Sequence, residues 1–274
     1  MIIDSHQHFW KYNPVRDDWI NDSMEVIRKD FLPKDLKPIL EKNGVDGCIA
    51  VQADQSEEET DFLLECARQN PFIKGVVGWV DLTDEQLENR LAHFASNPLF
   101  KGVRHIVQAE KEDYLLREDV QNGISKLAKH KLTFDILIFP HQLPAAIEMV
   151  EKFPKQQFIL DHIAKPTISA PIENEWKANI AALSEFENVS CKISGMVTEA
   201  ENFVFSDDSF TPFLDHVFST FGPTRLLFGS DWPVCLLAAD YSKVLAIIMD
   251  FLEQFDDKTK EKILRKNAQL IYNL

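Results

Sequence analysis

Cysteine, glycine-rich motifs and positive charge are all scarce in this chain. Its four cysteines, Cys48, Cys66, Cys191 and Cys235, form no CxxC pair and no zinc-finger spacing. They read as reduced, mostly buried thiols rather than a thiolate metal module. No GxGxxG follows the first strand-like run, so a dinucleotide-type open sheet loses its support. Lysine and arginine number 29 against 44 aspartates and glutamates, a formal net charge of −15. That balance argues against a nucleic-acid partner, which needs clustered cations. The acidic clusters, such as Glu57-Glu58-Glu59, read as solvated faces. No apolar run approaches the roughly 20 residues that span a bilayer. Asp4, His6 and His8 interrupt the first apolar stretch, so no signal peptide is read and a cytoplasmic location, with no membrane partner, is expected. There is no Gly-, Ser- or Pro-rich linker and no low-complexity segment.

What the chain does have is alternation. Short β-like runs recur at 2–8, 46–52, 73–80, 102–106, 133–138, 157–162, 189–194 and 226–231. Helical patterns lie between most of them, as at 57–69, 84–95, 145–152 and 176–186. Regular βα alternation argues for a parallel sheet. Eight units in 274 residues match a single-domain (β/α)8 TIM barrel over residues 1–274 in count and length. Two loops are long, 11–30 with Trp19 and 197–209 with Phe203 and Phe205. In such a barrel, loops after strands sit at the catalytic face, so both are candidate lids.

Polar residues collect where those strands should end. The first run carries His6 and His8, which lie two apart and so project to one side of a strand. Two neutral imidazoles on one face can share a metal ion or converge on one substrate oxygen. Further along come Gln52, Trp79, Arg104-His105, Asp135, Asp161-His162 with Lys165 beyond, Lys192, and the turn Gly229-Ser230-Asp231-Trp232-Pro233. Each has an ordinary structural explanation alone. Jointly those explanations leave the concentration of polar groups at strand ends unaccounted for.

At this point the chain resembles a known family. The runs Asp-Ser-His-Gln-His-Phe-Trp at 4–10, Phe-Lys-Gly-Val-Arg-His at 100–105, Leu-Asp-His-Ile-Ala-Lys-Pro at 160–166, Cys-Lys-Ile-Ser-Gly at 191–195 and Gly-Ser-Asp-Trp-Pro-Val at 229–234 are similar to the amidohydrolase-related proteins of the L-fuconolactonase type. The resemblance implies an amidohydrolase-superfamily barrel that hydrolyses sugar-acid lactones, with His6, His8, His162 and Asp231 at the core of the site. Binuclear members of the superfamily place a Lys or Glu after strand 4 and a His after strand 5. Here those positions offer Arg104-His105 and Asp135, with His141 only beyond. The expectation is one divalent ion, zinc first, on His6, His8 and Asp231, or no required metal.

In that reading Asp231 is the general base toward water, and His6, His8 and His162 polarise the lactone carbonyl. Gln52, Trp79, Arg104, His105, Asp135 and Lys165 are the expected substrate contacts. The partner is a small, hydroxyl-rich sugar lactone, and the protein is a monomer or homodimer. Two rivals remain: a metal-dependent decarboxylase on the same barrel, and a barrel that binds sugar acids without catalysis.

Overall fold

A computed structural model describes residues 1–168 and 171–274. Eight strands form one parallel sheet in chain order: β1 Ile3–Gln7, β2 Gly47–Val51, β3 Ile73–Gly78, β4 Phe100–His105, β5 Thr133–Ile136, β6 Phe158–Leu160, β7 Val189–Ile193 and β8 Leu226–Phe228. A main helix crosses back after each strand: α1 Pro33–Lys42, α2 Glu57–Gln69, α3 Leu87–Ala95, α4 Glu118–Ile124, α5 Leu143–Lys152, α6 Asn174–Ser184, α7 Thr211–Phe221 and α8 Tyr241–Leu252. The expected (β/α)8 barrel is the observed fold.

The chain just beyond β8 closes the ring onto β1. Asp231 N donates to His6 O at 2.8 Å and His8 N donates to Trp232 O at 2.7 Å. Gln7 and Trp232 form the matching parallel bridge.

Strand alternation sorts the core into two shells. Cys48, Ala50, Val76, Phe134, Phe158 and Phe228 face the helices and join the large apolar cluster there. Ile3, Ile49, Val51, Val77, Ile159 and Leu227 form a separate cluster inside the barrel, which Ala268 and Tyr272 complete from the C-terminal segment. Strict alternation from Ile3 would turn His6 and His8 away from that interior. The pairing of β1 with β2 slips between Asp4 and Gln7, where three steps on β1 match two on β2. Such a bulge inserts one residue and reverses the phase. Asp4 Oδ1 accepts from His6 N at 3.1 Å and from Ser230 N at 2.9 Å, which fixes the irregularity.

The expected sixth and eighth runs are too long. β6 stops at Leu160 and β8 at Phe228, because the backbone soon leaves the extended region after each. His162, Ile163, Ala164 and Lys165 have φ of 53°, 49°, 60° and 51°, one turn of left-handed backbone. That conformation costs about 1–2 kcal/mol per residue for L-amino acids. Packing offsets it: Ile163 and Ala164 are fully buried, and Trp176 Nε1 donates to Ile163 O at 2.9 Å.

The start of α2 holds the loop after β2. Glu59, buried, accepts from Ala53 N at 2.9 Å and Asp54 N at 2.6 Å. Burial nonetheless pushes its carboxyl up from 4.5 to about 8, with those two N–H groups opposing. A folded value above the unfolded one means this contribution is complete below about 4.5 and is lost as pH rises through about 8. Glu59→Gln keeps an acceptor and removes the titration. We expect its denaturation midpoint to decline less than the parent's between pH 5 and 9, as urea melts at several pH values would show.

Candidate active site

Above the apolar layer the barrel interior carries a layer of charge. Lys192, from β7, is fully buried, with Nζ 2.5 Å from Asp135 Oδ2 and 2.9 Å from Asp161 Oδ1. Asp135, on β5, also accepts from Thr133 Oγ1 and Tyr272 OH, each at 2.9 Å. Arg104, on β4, reaches Asp161 Oδ2 with Nη1 at 3.2 Å and donates through Nη2 to Gln52 O. Burial would raise the Asp161 carboxyl, but Lys192, His6 and Arg104 overturn this and hold it well below the carboxylate range. Burial wins at Asp135 and raises it against the pull of Lys192.

The histidines sit on that layer. His6 Nε2 lies 3.2 Å from His8 Nε2. His8 Nε2 lies 3.3 Å from Asp231 Oδ1, and the His6 and His162 Nε2 atoms each lie 3.8 Å from the same oxygen. His8 Nδ1 is 2.8 Å from Val51 O. A carbonyl oxygen only accepts, so Nδ1 carries a proton, and in the neutral ring the Nε2 lone pair points at Asp231. His162 Nδ1 meets Ser194 Oγ at 2.9 Å. Its left-handed turn brings positions three apart to one face, which is why His162 and Lys165 both reach the cavity. Two glycines make room for the rings. A Cβ on Gly229 would lie 2.7 Å from His6 Cβ, and one on Gly195 would lie 2.4 Å from His162 Nδ1.

Burial lowers His162 to about 4 against the pull of Asp231, and likewise lowers His6. Both rings are therefore neutral at ordinary pH. Burial would raise Asp231, but His162, His8 and His6 together pull it well below its usual value. The site thus holds an ionised carboxylate beside the neutral rings of His6 and His162.

A cavity of about 320 Å³ opens over this floor. His8, Arg104, His162, Lys165 and Asp231 line it, with Gln108 and a wall of Trp10, Trp19, Ile106, Leu137 and Val234. His6 lies just beneath, fully buried. Four expected substrate contacts are not among the lining residues. Asp135 is sealed under the floor by Lys192 and Tyr272. Arg104 and His105 are adjacent on β4, so only one can face inward. His105 turns out, bonded to Glu110 Oε1 at 3.0 Å and stacked on Tyr114. Trp79 accompanies it outward, donating to His105 Nδ1 at 3.2 Å. Gln52 is wedged between strands, its Nε2 donating to Arg104 O at 3.2 Å. The sequence also suggests Trp10 as a ring face for the sugar, and it lines the cavity; sequence reasoning misses Gln108 and the aliphatic part of the wall, Ile106, Leu137 and Val234. Leu137 and Val234 look like any core residue in sequence, whereas Trp19 stands in a loop that its length marks as a candidate lid.

The profile of the amidohydrolase family matches residues 3–274. The chain belongs to the amidohydrolase family. It is 37% identical over 262 residues to an L-fucono-1,5-lactonase of Burkholderia multivorans, covering 92% of this chain and 88% of that one. It is 36% identical over 279 residues to an L-fucono-1,5-lactonase of Burkholderia ambifaria, covering 99% and 95%. A crystal structure of a Burkholderia multivorans amidohydrolase with bound zinc superposes with a TM-score of 0.95 at 34% identity, covering 100% of this chain and 99% of that one. In this amidohydrolase, the acceptor atoms of His6, His8 and Asp231 all lie within 4.8 Å of one another. Three converging acceptors, one with its lone pair fixed inward by Val51, suit a cation, so the residues fit a single metal ion.

Proposed function

We propose that this protein hydrolyses a sugar-acid lactone, of the L-fucono- or L-rhamnono-lactone kind. One observation carries the reading: Asp231, ionised, meets three imidazoles at the floor of a sugar-sized cavity. The relationship to two L-fucono-1,5-lactonases over nearly the whole chain supports the substrate class.

Asp231 Oδ accepts a proton from water as the water oxygen attacks the lactone carbonyl carbon. The carbonyl oxygen becomes an oxyanion. Arg104 and Lys165 supply positive charge there, and His162 can donate from Nε2 when Nδ1 accepts from Ser194. His8, with its proton on Nδ1, offers the cavity an acceptor or ligand rather than a donor. A divalent ion held by His6, His8 and Asp231, zinc being well suited to two nitrogens and one oxygen, would add Lewis-acid polarisation of the carbonyl. The C–O bond to the ring oxygen then breaks, and the proton on Asp231 passes to that oxygen. The product hydroxy acid ionises, which a pH indicator reads. Trp10 and Trp19 offer ring faces to the sugar's apolar surface.

The test is an indicator screen of aldonolactones with and without chelator. Hydrolysis of 6-deoxy aldonolactones above the spontaneous rate is the expected result. A silent panel with tight sugar-acid binding would favour the non-catalytic barrel, and a decarboxylation assay run alongside addresses the other rival. Within this reading, Gly229→Ala should push His6 off its position. We expect a stability loss of about 1–3 kcal/mol and turnover lowered roughly 10²-fold, checked by thermal melts beside steady-state kinetics.

A further inference from the structure

The His6 ring is held in a way the lactonase mechanism does not require. Each of its nitrogens faces one group that can only donate and one that can only accept. On the inner edge, Nδ1 lies 3.2 Å from Lys192 Nζ and 3.3 Å from Asp161 Oδ1. On the outer edge, Nε2 lies 3.3 Å from Arg104 Nη1 and 3.2 Å from His8 Nε2. The ammonium between two carboxylates and the guanidinium donate only, and the carboxylate accepts only. In the neutral ring, His8 Nε2 is confined to accepting by the Val51 carbonyl on its other nitrogen.

Both tautomers of His6 therefore have a complementary group within 3.3 Å of each nitrogen, although Asp161 Oδ1 makes no aligned hydrogen bond as it stands and needs a small turn of ring or carboxylate to accept. In one, Lys192 donates to Nδ1, and Nε2–H donates to His8. In the other, Nδ1–H faces Asp161 Oδ1 at 3.3 Å, and Nε2 accepts from Arg104 and turns its lone pair toward His8 and Asp231. We propose that Lys192 and Asp161 are positioning residues that compete for Nδ1 of His6 and so decide which of its nitrogens is bare toward the cavity. The inference rests on reading His6, His8 and Asp231 as a cluster able to take an ion.

Without an ion, the second tautomer sets the lone pairs of His6 and His8 against each other at 3.2 Å, beside the Asp231 carboxylate. The first tautomer converts that repulsion into a hydrogen bond to His8 and places Nε2–H on the Asp231 side, at the cost of the Arg104 donor 3.3 Å away, which is left without its acceptor. With a divalent ion the order reverses, because His6 can ligate through Nε2 only with its proton on Nδ1. The ring thus changes partner from Lys192 to Asp161 when an ion enters, with no net proton gained or lost. A buried ring flanked on one edge by donors alone would be committed to a single state.

The experiment uses the full chain with ring-¹⁵N-labelled histidine. His6 is assigned by the signal that His6→Asn removes, and two-bond ¹H–¹⁵N spectra are recorded after chelation and after adding one equivalent of zinc. The expected result is a proton on Nε2 in the chelated protein and on Nδ1 in the zinc-loaded one. The same tautomer in both states overturns the proposal, as does failure of zinc to bind. Zinc titration calorimetry on Asp161→Asn gives an independent readout. Loss of the charged acceptor should weaken zinc binding about 10–100-fold, and unchanged affinity would count against the proposal. Neither measurement involves a lactone, so a negative substrate screen and a negative tautomer result remain distinct.

Discussion

Asp231→Asn should lower lactone turnover by about 10²–10⁴-fold, the range expected if Asp231 is the positioned general base proposed above, while the barrel stays folded. The amide has the size of the carboxyl but cannot take a proton from water. The backbone at this position should be undisturbed. Asp231 sits at φ 59°, a left-handed conformation that asparagine tolerates better than most residues. Its main-chain bonds, Asp231 N to His6 O at 2.8 Å and Cys235 N to Asp231 O at 2.9 Å, do not involve the side chain. Alanine at the same site would confound loss of the base with backbone strain. Steady-state kinetics beside circular-dichroism melts separate the two effects. Turnover near that of the parent would remove Asp231 from the catalytic role.

Lys192→Met should have the largest effect on stability. The side chain is fully buried with its ammonium between Asp135 and Asp161. Methionine fills most of the volume and supplies no charge, so Asp135 loses the ammonium that it pairs with. Removing one member of a buried pair typically costs about 3–5 kcal/mol, a fall in Tm of roughly 6–15 °C for a chain of this size. The double variant Lys192→Met with Asp135→Leu removes both charges and leaves Asp161 with Arg104. It should recover a substantial part of the loss, which a double-mutant cycle in urea measures. A double variant no more stable than the single one would show that shape, rather than charge, makes Lys192 necessary.

Much of the barrel is legible in the sequence because its evidence is local. Alternating apolar runs, helical stripes and polar strand ends repeat along the chain, and each can be read within a dozen residues. The pairing of His6 with His8 is legible for the same reason, since side chains two apart on a strand share a face. Which face they share is not, because the slip in β1 depends on Asp4 bonding to Ser230, far along the chain. The left-handed turn at His162–Lys165 is invisible: nothing in Ile163 or Ala164 favours positive φ, and burial, Trp176 and the Lys165 N to His162 O bond hold the turn from outside the local sequence preference. Asp135 reads as a substrate contact because a buried strand carboxylate invites a function. Its partner Lys192 lies two strands away, a distance that alternation cannot measure. The neighbours Arg104 and His105 mark a different failure, because strand geometry alone assigns them to opposite sides.

The seam between β8 and β1 ties the site to the closure of the ring. The two hydrogen bonds that complete it belong to His6, His8, Asp231 and Trp232, so three of its four residues also carry proposed site side chains. His8 and Asp231 are 223 positions apart in the chain, and bringing such distant segments together is a costly contact to form. A growing or fragmented chain holding seven strands would contain His6, His8 and His162 yet no working site. Catalysis in this protein would then act as a reporter of topology. Any measurable activity would certify that the last strand has found the first, and a variant that loosens the seam would fall silent before its spectroscopic secondary structure changed.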